Sequence, residues 1–262
     1  MDDLLILAIA MRLSKSHLIT LCTLIVTLAI INIPLIQTSQ VLAQTSDTQR
    51  EGTLRVGNGE FLIVGNPSMP SVAPRPGEKP QRLPNLPGAE QEAIAIAQLF
   101  NTQALIGKDA TKAAVLERMP GARIIHLATS AIVDEERGLG SAIALAPSGS
   151  DNGWLTAEEI LDLKLNADLV VLSGCNTGLG KITGDGVIGL ARSFIAAGAS
   201  SVIVSLGYVS DEATPFFMTE FYRNLQQKMD KAQALRHATL ATMKKYPNQL
   251  DWGAFTLIGE AE

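Results

Sequence analysis

Cys175 is the residue best placed for covalent chemistry. It ends the run Asp168 to Cys175 (DLVVLSGC) and is followed by Asn176-Thr177-Gly178. So unbroken an apolar run predicts a strand buried on both faces. The glycines around the cysteine permit a tight turn whose amide N–H groups are free to point at a developing oxyanion. A thiol in that setting has two readings: a nucleophile, or a small buried cysteine at the end of a strand, which is common. Candidate bases are few, because the chain has only three histidines, His17, His126 and His237. Its two cysteines exclude a disulfide scaffold, no Cys/His cluster has zinc spacing, and neither a metal nor a cofactor is expected.

The elements that must position Cys175 alternate between strand and helix signals. FLIVGNP (61–67), ALIG (104–107), RIIHLAT (123–129), the cysteine strand, SVIVSLG (201–207) and FTLIGE (255–260) read as strands. Residues 88–101, 111–119, 156–163, 186–197, 210–227 and 230–245 read as helices. Thr156 to Glu159 has the spacing of a capping box, and Asp185 stands where the next helix takes its N-cap. AIALAP (142–147) and GWLT (153–156) flank a turn and predict a hairpin, and the proline-rich stretch 68–87 reads as a loop. Strands separated by helices form βαβ units with a mainly parallel sheet covered on both faces. Sites in such sheets lie beyond the carboxyl ends of the strands. Cys175 is at such an end, as are the residues after Thr129, Leu206 and Asn66.

Composition agrees with an α/β class. Of the 262 residues, 47% are apolar, only 5% are aromatic and 18% are charged, enough to bury a core and too apolar for disorder. A net charge of −5 excludes the basic footprint of a nucleic-acid binder. Leu18 to Ile36 is uncharged and almost wholly apolar; it follows Arg12 and Lys15 and precedes a small-residue motif with Val41 and Ala43 at −3 and −1. This is the order of a secretory signal peptide. Residues 1–43 are therefore expected to export the chain to the periplasm or outside, with membrane anchoring by an uncleaved segment as the alternative. Residues 44–60 read as a linker and 61–262 as the folded domain. Cleavage would remove Cys22 and leave Cys175 as the only thiol.

Several long segments carry a resemblance. RIIHLATS, LVVLSGCNTGLGKITGDGVIGLARSFIAAGASSVIVSL, WGAFTLIGEAE, LPGAEQEAIAIAQLF and SAIALAP occur in order from about Phe61 to Glu262. They resemble the CHAT-domain family, caspase-like domains that often follow TPR repeats in cyanobacterial proteins. The resemblance implies a caspase/hemoglobinase-like three-layer sandwich and a clan of Cys–His peptidases. The family nucleophile sits in a Ser-Ala-Cys-x-Thr-Gly loop, which Ser173, Cys175, Thr177 and Gly178 match, with Gly174 in place of Ala. Gly174 and Ala131 are the expected loop positions around the oxyanion.

The base is where the match fails. The family reads His-Leu-Ala-Thr-His-Gly, and this chain reads His126-Leu-Ala-Thr-Ser130-Ala131. Ser130 replaces the base and Ala131 the glycine. A hydroxyl neither accepts the proton nor forms the cation that stabilises a thiolate. His126, on the strand face expected for Ser130, lies about 13 Å back along the strand and reads as a buried histidine satisfied by a neighbour. His237 reads as a packing or surface residue. The family's usual Trp after Val-Ser-Leu is replaced by Gly207-Tyr208. Asp185 has two readings, a wall of a substrate pocket for basic side chains and the helix N-cap. Asp134 to Arg137 reads as a solvated charge run.

Three functional readings follow. The first is a catalytically impaired CHAT-domain protein that binds a peptide or protein partner or acts as a regulatory module. The second is a weakly active cysteine endopeptidase using Cys175 with a base recruited from elsewhere. The third is a degenerate product of fusion or truncation, since the leader joins the domain without TPR repeats.

Overall fold

Strands apolar on both faces need a helical layer on each side, and the chain provides both. The computed structural model describes residues 61–73, 77–132, 140–174, 184–207 and 209–262, with side chains in the helix that begins at Gly184 described from Ile188 onward. The expected leader and linker (1–60), the Asp134 to Arg137 run, Cys175 with residues 176–183, and Tyr208 lie outside the described residues.

In chain order the first elements are β1 (Phe61–Pro67), β2 (Ser71–Val72), β3 (Gln81–Arg82), α1 (Pro87–Leu99), β4 (Leu105–Gly107), α2 (Lys112–Arg118) and β5 (Ile124–Ala128). Then come β6 (Ala131–Ile132), β7 (Ala142–Ala144), β8 (Trp154–Thr156), α3 (Ala157–Leu161) and β9 (Leu169–Ser173). The last are α4 (Gly184–Ala196), β10 (Ser201–Ser205), α5 (Thr214–Gln226), α6 (Lys231–Lys245) and β11 (Phe255–Gly259).

A six-stranded sheet runs β4-β1-β5-β9-β10-β11. All its pairings are parallel except the last, β10 with β11. Every residue of β5, β9 and β10 is buried. The period-two alternation of strands then sorts the core into two halves. Leu62, Val64, Ile125, Leu127, Val170, Leu172, Val202 and Val204 pack with Val115 of α2, Ile160 of α3 and Leu190 and Phe194 of α4. The alternate residues Ile63, Ile124, Leu169, Val171 and Ile203 pack with Ile96 of α1, Phe217, Phe221 and Tyr222 of α5 and Ala234 of α6. The layers are thus helix, sheet, helix. At Gly65 the helix comes closest: a Cβ there would stand 2.3 Å from the Ala93 Cβ of α1. Only glycine allows that approach.

Helix starts follow local chemistry. Thr111 caps α2 by accepting from the Ala114 N–H, Thr156 and Glu159 form the expected capping box on α3, and Asp230 caps α6. Asp185 does not cap its helix: α4 already begins at Gly184, which puts Asp185 inside the first turn. The helix expected from Ser210 begins at Thr214. Ser210 is spent on a turn, its hydroxyl accepting from the Ala213 N–H, and Pro215 suits only a first helical turn.

Two small sheets add to the frame. The expected hairpin is β7–β8, with Ala142 opposite Thr156 and Ala144 opposite Trp154. It gains a third strand, β6, with Ala131 opposite Ile143. The stretch read as a loop over 68–87 contains the short antiparallel pair β2–β3.

Candidate functional site

The carboxyl edge of the sheet brings the expected site positions to neighbouring strand ends. β5 and β9 run side by side with Ala128 opposite Ser173, and the Thr129 N–H donates to the Ser173 carbonyl at 3.0 Å. Gly174 follows at once, with φ +96, and a Cβ on it would lie 3.0 Å from the Thr129 carbonyl oxygen. That conformation favours glycine over the alanine of the family loop. The chain therefore leaves β9 for position 175 along a path that a side chain at 174 would strain.

Ser130 sits where β5 hands over to the small sheet. Its carbonyl accepts from the Ala144 N–H at 2.8 Å, and the neighbouring Thr129 hydroxyl donates to the Ala144 carbonyl at 2.9 Å. Ser130 is 0% exposed, and among the described residues its hydroxyl has no hydrogen-bond partner. It borders a small cavity with Leu127, Thr129, Ile143, Leu172 and Leu190. Most of these walls belong to the α2/α3/α4 half of the core. Ser130 is therefore not on the face of His126, as alternation had suggested: β5 ends at Ala128, and alternation ends with it.

His126 faces the other half. It is fully buried opposite Ile63 and Val171; its Nδ1 lies 3.1 Å from the Tyr222 hydroxyl and its Nε2 is 2.8 Å from Glu92 Oε1. The Glu92 contact is off the line a hydrogen bond prefers, and among the described residues neither atom has a hydrogen-bond partner. Burial, and then the Glu92 charge, push the Tyr222 phenol well above its ordinary range. The expectation that a neighbour satisfies the histidine holds for Nδ1, which Tyr222 partners, and not for Nε2, which has no aligned hydrogen bond. His237 is exposed on α6.

Ala131 pairs with Ile143 as the first residue of β6. Its amide is thus at the foot of the small sheet, one residue from Ser130. Asp185 is fixed only as a residue of the first turn of α4. A shallow cavity lined by Phe61, Asn101, Glu117, Arg118 and Gly121 opens at the amino edge of the sheet, the end opposite to where parallel sheets place their chemistry. Among the described residues no His, Cys, Asp and Glu are grouped to hold a metal ion.

Sequence reasoning missed a second group at the carboxyl edge. Asn66, at φ +43, accepts from the Leu86 N–H at 2.8 Å and donates to Glu90 at 2.9 Å. Asp211 accepts from the Gly88 N–H at 2.8 Å. The only signal for the first was Asn-Pro at a strand end; the second pairs residues 123 positions apart and has no local signature.

Residues 13–260 match the family described as the CHAT domain. Tetratricopeptide repeat protein 28 of Mus musculus is 31% identical over 238 residues, a match covering 75% of this chain and 9% of that protein. Its Homo sapiens counterpart is 29% identical over 264 residues, covering 87% of this chain and 10% of that one. The chain thus spans about a tenth of the length of these curated relatives. Among solved structures, the Arg-specific cysteine proteinase gingipain R is similar, with a TM-score of 0.51 at 12% identity over 78% of this chain and 46% of that one. The fold is therefore the caspase-like α/β sandwich with a mainly parallel central sheet.

Proposed function

Because the chain belongs to the CHAT-domain family, we propose that it is a catalytically impaired member that keeps the nucleophile position at Cys175 and acts by binding a peptide or protein partner, or as a regulatory module. One observation carries this reading. Ser130, in the family's base position, is buried at the end of β5 beside the strand that leads to Cys175, and among the described residues its hydroxyl has no hydrogen-bond partner. A hydroxyl takes no proton near neutral pH. The nearest histidine along the strand, His126, is held by Glu92 and Tyr222. A thiol without a basic partner stays near its ordinary pKa of about 8.5, with only a few per cent thiolate at pH 7. Losing one member of such a pair removes most of the rate, by factors of about a thousand or more. The carboxyl edge is where parallel sheets place their binding sites, and the likeness in fold to a cysteine proteinase makes a peptide the ligand class to test there. The net charge of −5 speaks against nucleic acid as the partner.

The test has two arms. Alkylation of Cys175 against pH should follow an ordinary thiol, and an arrayed library of short unstructured peptides should be captured without being cut. A thiol that titrates well below pH 8 together with peptide cleavage overturns the reading in favour of a cysteine endopeptidase with a recruited base.

A further inference from the structure

Helices α5 and α6 pack on each other and run in opposite directions. α5 starts after the carboxyl end of β10, and α6 ends before β11, whose first residue Phe255 lies opposite Ser205 at that same end. The first turn of α5 and the last turn of α6 therefore meet at the carboxyl edge of the sheet. In that first turn Phe217 faces the core and is fully buried. The helical step of about 100° turns its neighbour Phe216 away from the core, and Phe216 is only half-buried. Tyr246 closes α6 as its C-cap, with its N–H donating to the Thr242 carbonyl at 2.7 Å, and is half-buried too.

The two rings stand 6.0 Å apart, centroid to centroid, and are inclined at 59°. They form a wedge, and the wedge holds a cation. The ammonium of the exposed Lys245 lies 4.2 Å from the Phe216 centroid and 5.2 Å from that of Tyr246. Both distances are within the reach of about 6 Å over which a ring face attracts a positive charge. The helix dipole favours a lysine in a last turn but sets no position over a ring. Among the described residues no carboxylate pairs with Lys245, and Glu220, one turn along from Phe216, is taken by Arg223.

A primary ammonium is compact and strongly hydrated, so Lys245 is a loosely seated occupant. A methylated ammonium has few or no N–H groups to keep in water and presents methyl groups to the ring carbons. Quaternary ammonium groups are what paired aromatic faces bind best. We infer that Phe216 and Tyr246 form a binding site for a methylated ammonium group, with Lys245 as its tethered competitor. The site shares the carboxyl edge with Ser130 but none of its residues, and it stands independently of the peptide-binding reading above.

Tetramethylammonium is titrated into the full chain while the ring resonances of Phe216 and Tyr246 are followed, with sodium at the same ionic strength as the control. Lys245→Ala removes the competitor and should tighten binding about two- to fivefold, the worth of one exposed cation–π contact. Lys245→Arg keeps a competitor and should bind no more tightly than the wild type. Phe216→Leu and Tyr246→Leu, each made in the Lys245→Ala chain, keep an apolar side chain but lose a ring face; each should undo the gain, with the surviving ring reporting. Choline and a short peptide bearing trimethyllysine are titrated in parallel, and the tighter of the two identifies the source of the group. Ring shifts equal to those with sodium, in wild type and Lys245→Ala alike, overturn the site. Equal affinity of wild type and Lys245→Ala overturns the competitor. Affinity that survives the loss of either ring overturns the wedge as the seat of the cation.

Discussion

A hydroxyl buried without a partner costs about 1–3 kcal/mol of desolvation, so Ser130→Ala should be neutral or stabilising in a denaturant titration. A clear loss of stability would show that the hydroxyl is bonded after all. Ser130→His asks more of the site. In the small cavity behind Ser130 an imidazole overpacks, at about 1–3 kcal/mol. Turned toward the sheet edge, it stands beside the end of β9, where its cation would favour the thiolate. The double change Ser130→His with Ala131→Gly should therefore speed alkylation of Cys175 near neutral pH at a modest cost in stability. Lost stability with unchanged alkylation means that the ring stays in the cavity. His126 differs in kind. It is fully buried, with Nδ1 against the Tyr222 hydroxyl and Nε2 beside Glu92, and leaving a buried polar partner unsatisfied costs about 1–3 kcal/mol. His126→Leu should show that loss by chemical denaturation, and adding Glu92→Leu should recover part of it.

Among the elements, α3 offers a titration with a definite sign. Burial raises the Glu159 carboxyl, but hydrogen bonds from Lys112 and Thr156 outweigh burial and hold its pKa below the ordinary value. A depressed folded-state pKa contributes stability that is complete above the unfolded value and is lost as pH falls through the folded one. Wild type and Glu159→Gln should thus differ most near neutrality and converge in acid. The cap itself contributes about 1 kcal/mol, and the Lys112 share should fade with salt because Glu159 is substantially exposed. Gly65→Ala should loosen the β1–α1 contact by about 1–3 kcal/mol, read as a lower thermal midpoint. Elements with such strong internal patterns were legible in the sequence. The buried strands announced themselves by unbroken apolar runs, and α3 by its capping box. β2, β3 and β6 did not, because two paired residues leave no period to read. Of the candidate site, Ser130 and Gly174 follow the ends of β5 and β9 in the structure, positions that the apolar runs before them make readable in the sequence. It misjudged the face of Ser130 because alternation holds only as far as the strand does. The Asp211–Gly88 contact was illegible because it depends on the strand order of the finished sheet.

At the scale of the molecule, the described residues belong to one compact unit, Gly52–Glu262. Among them no helix is long and apolar enough to cross a membrane. The order of Arg12 and Lys15, the apolar run from Leu18 and the Val41/Ala43 motif still predicts an exported chain cut before Gln44. N-terminal sequencing of protein made in its host should read from Gln44; a chain that still begins at Met1 or Met11 leaves the segment as an anchor. The antiparallel closure of the sheet bears on how such a chain is made. β10 has β9 on one side and β11, from Phe255–Gly259, on the other. During synthesis or passage through a translocation pore, β10 therefore meets the surroundings with one row of amides and carbonyls bare until residues 255–259 have emerged. A bare strand edge pairs readily with other chains, so a chain stalled short of Phe255 should associate with its neighbours where the completed one does not.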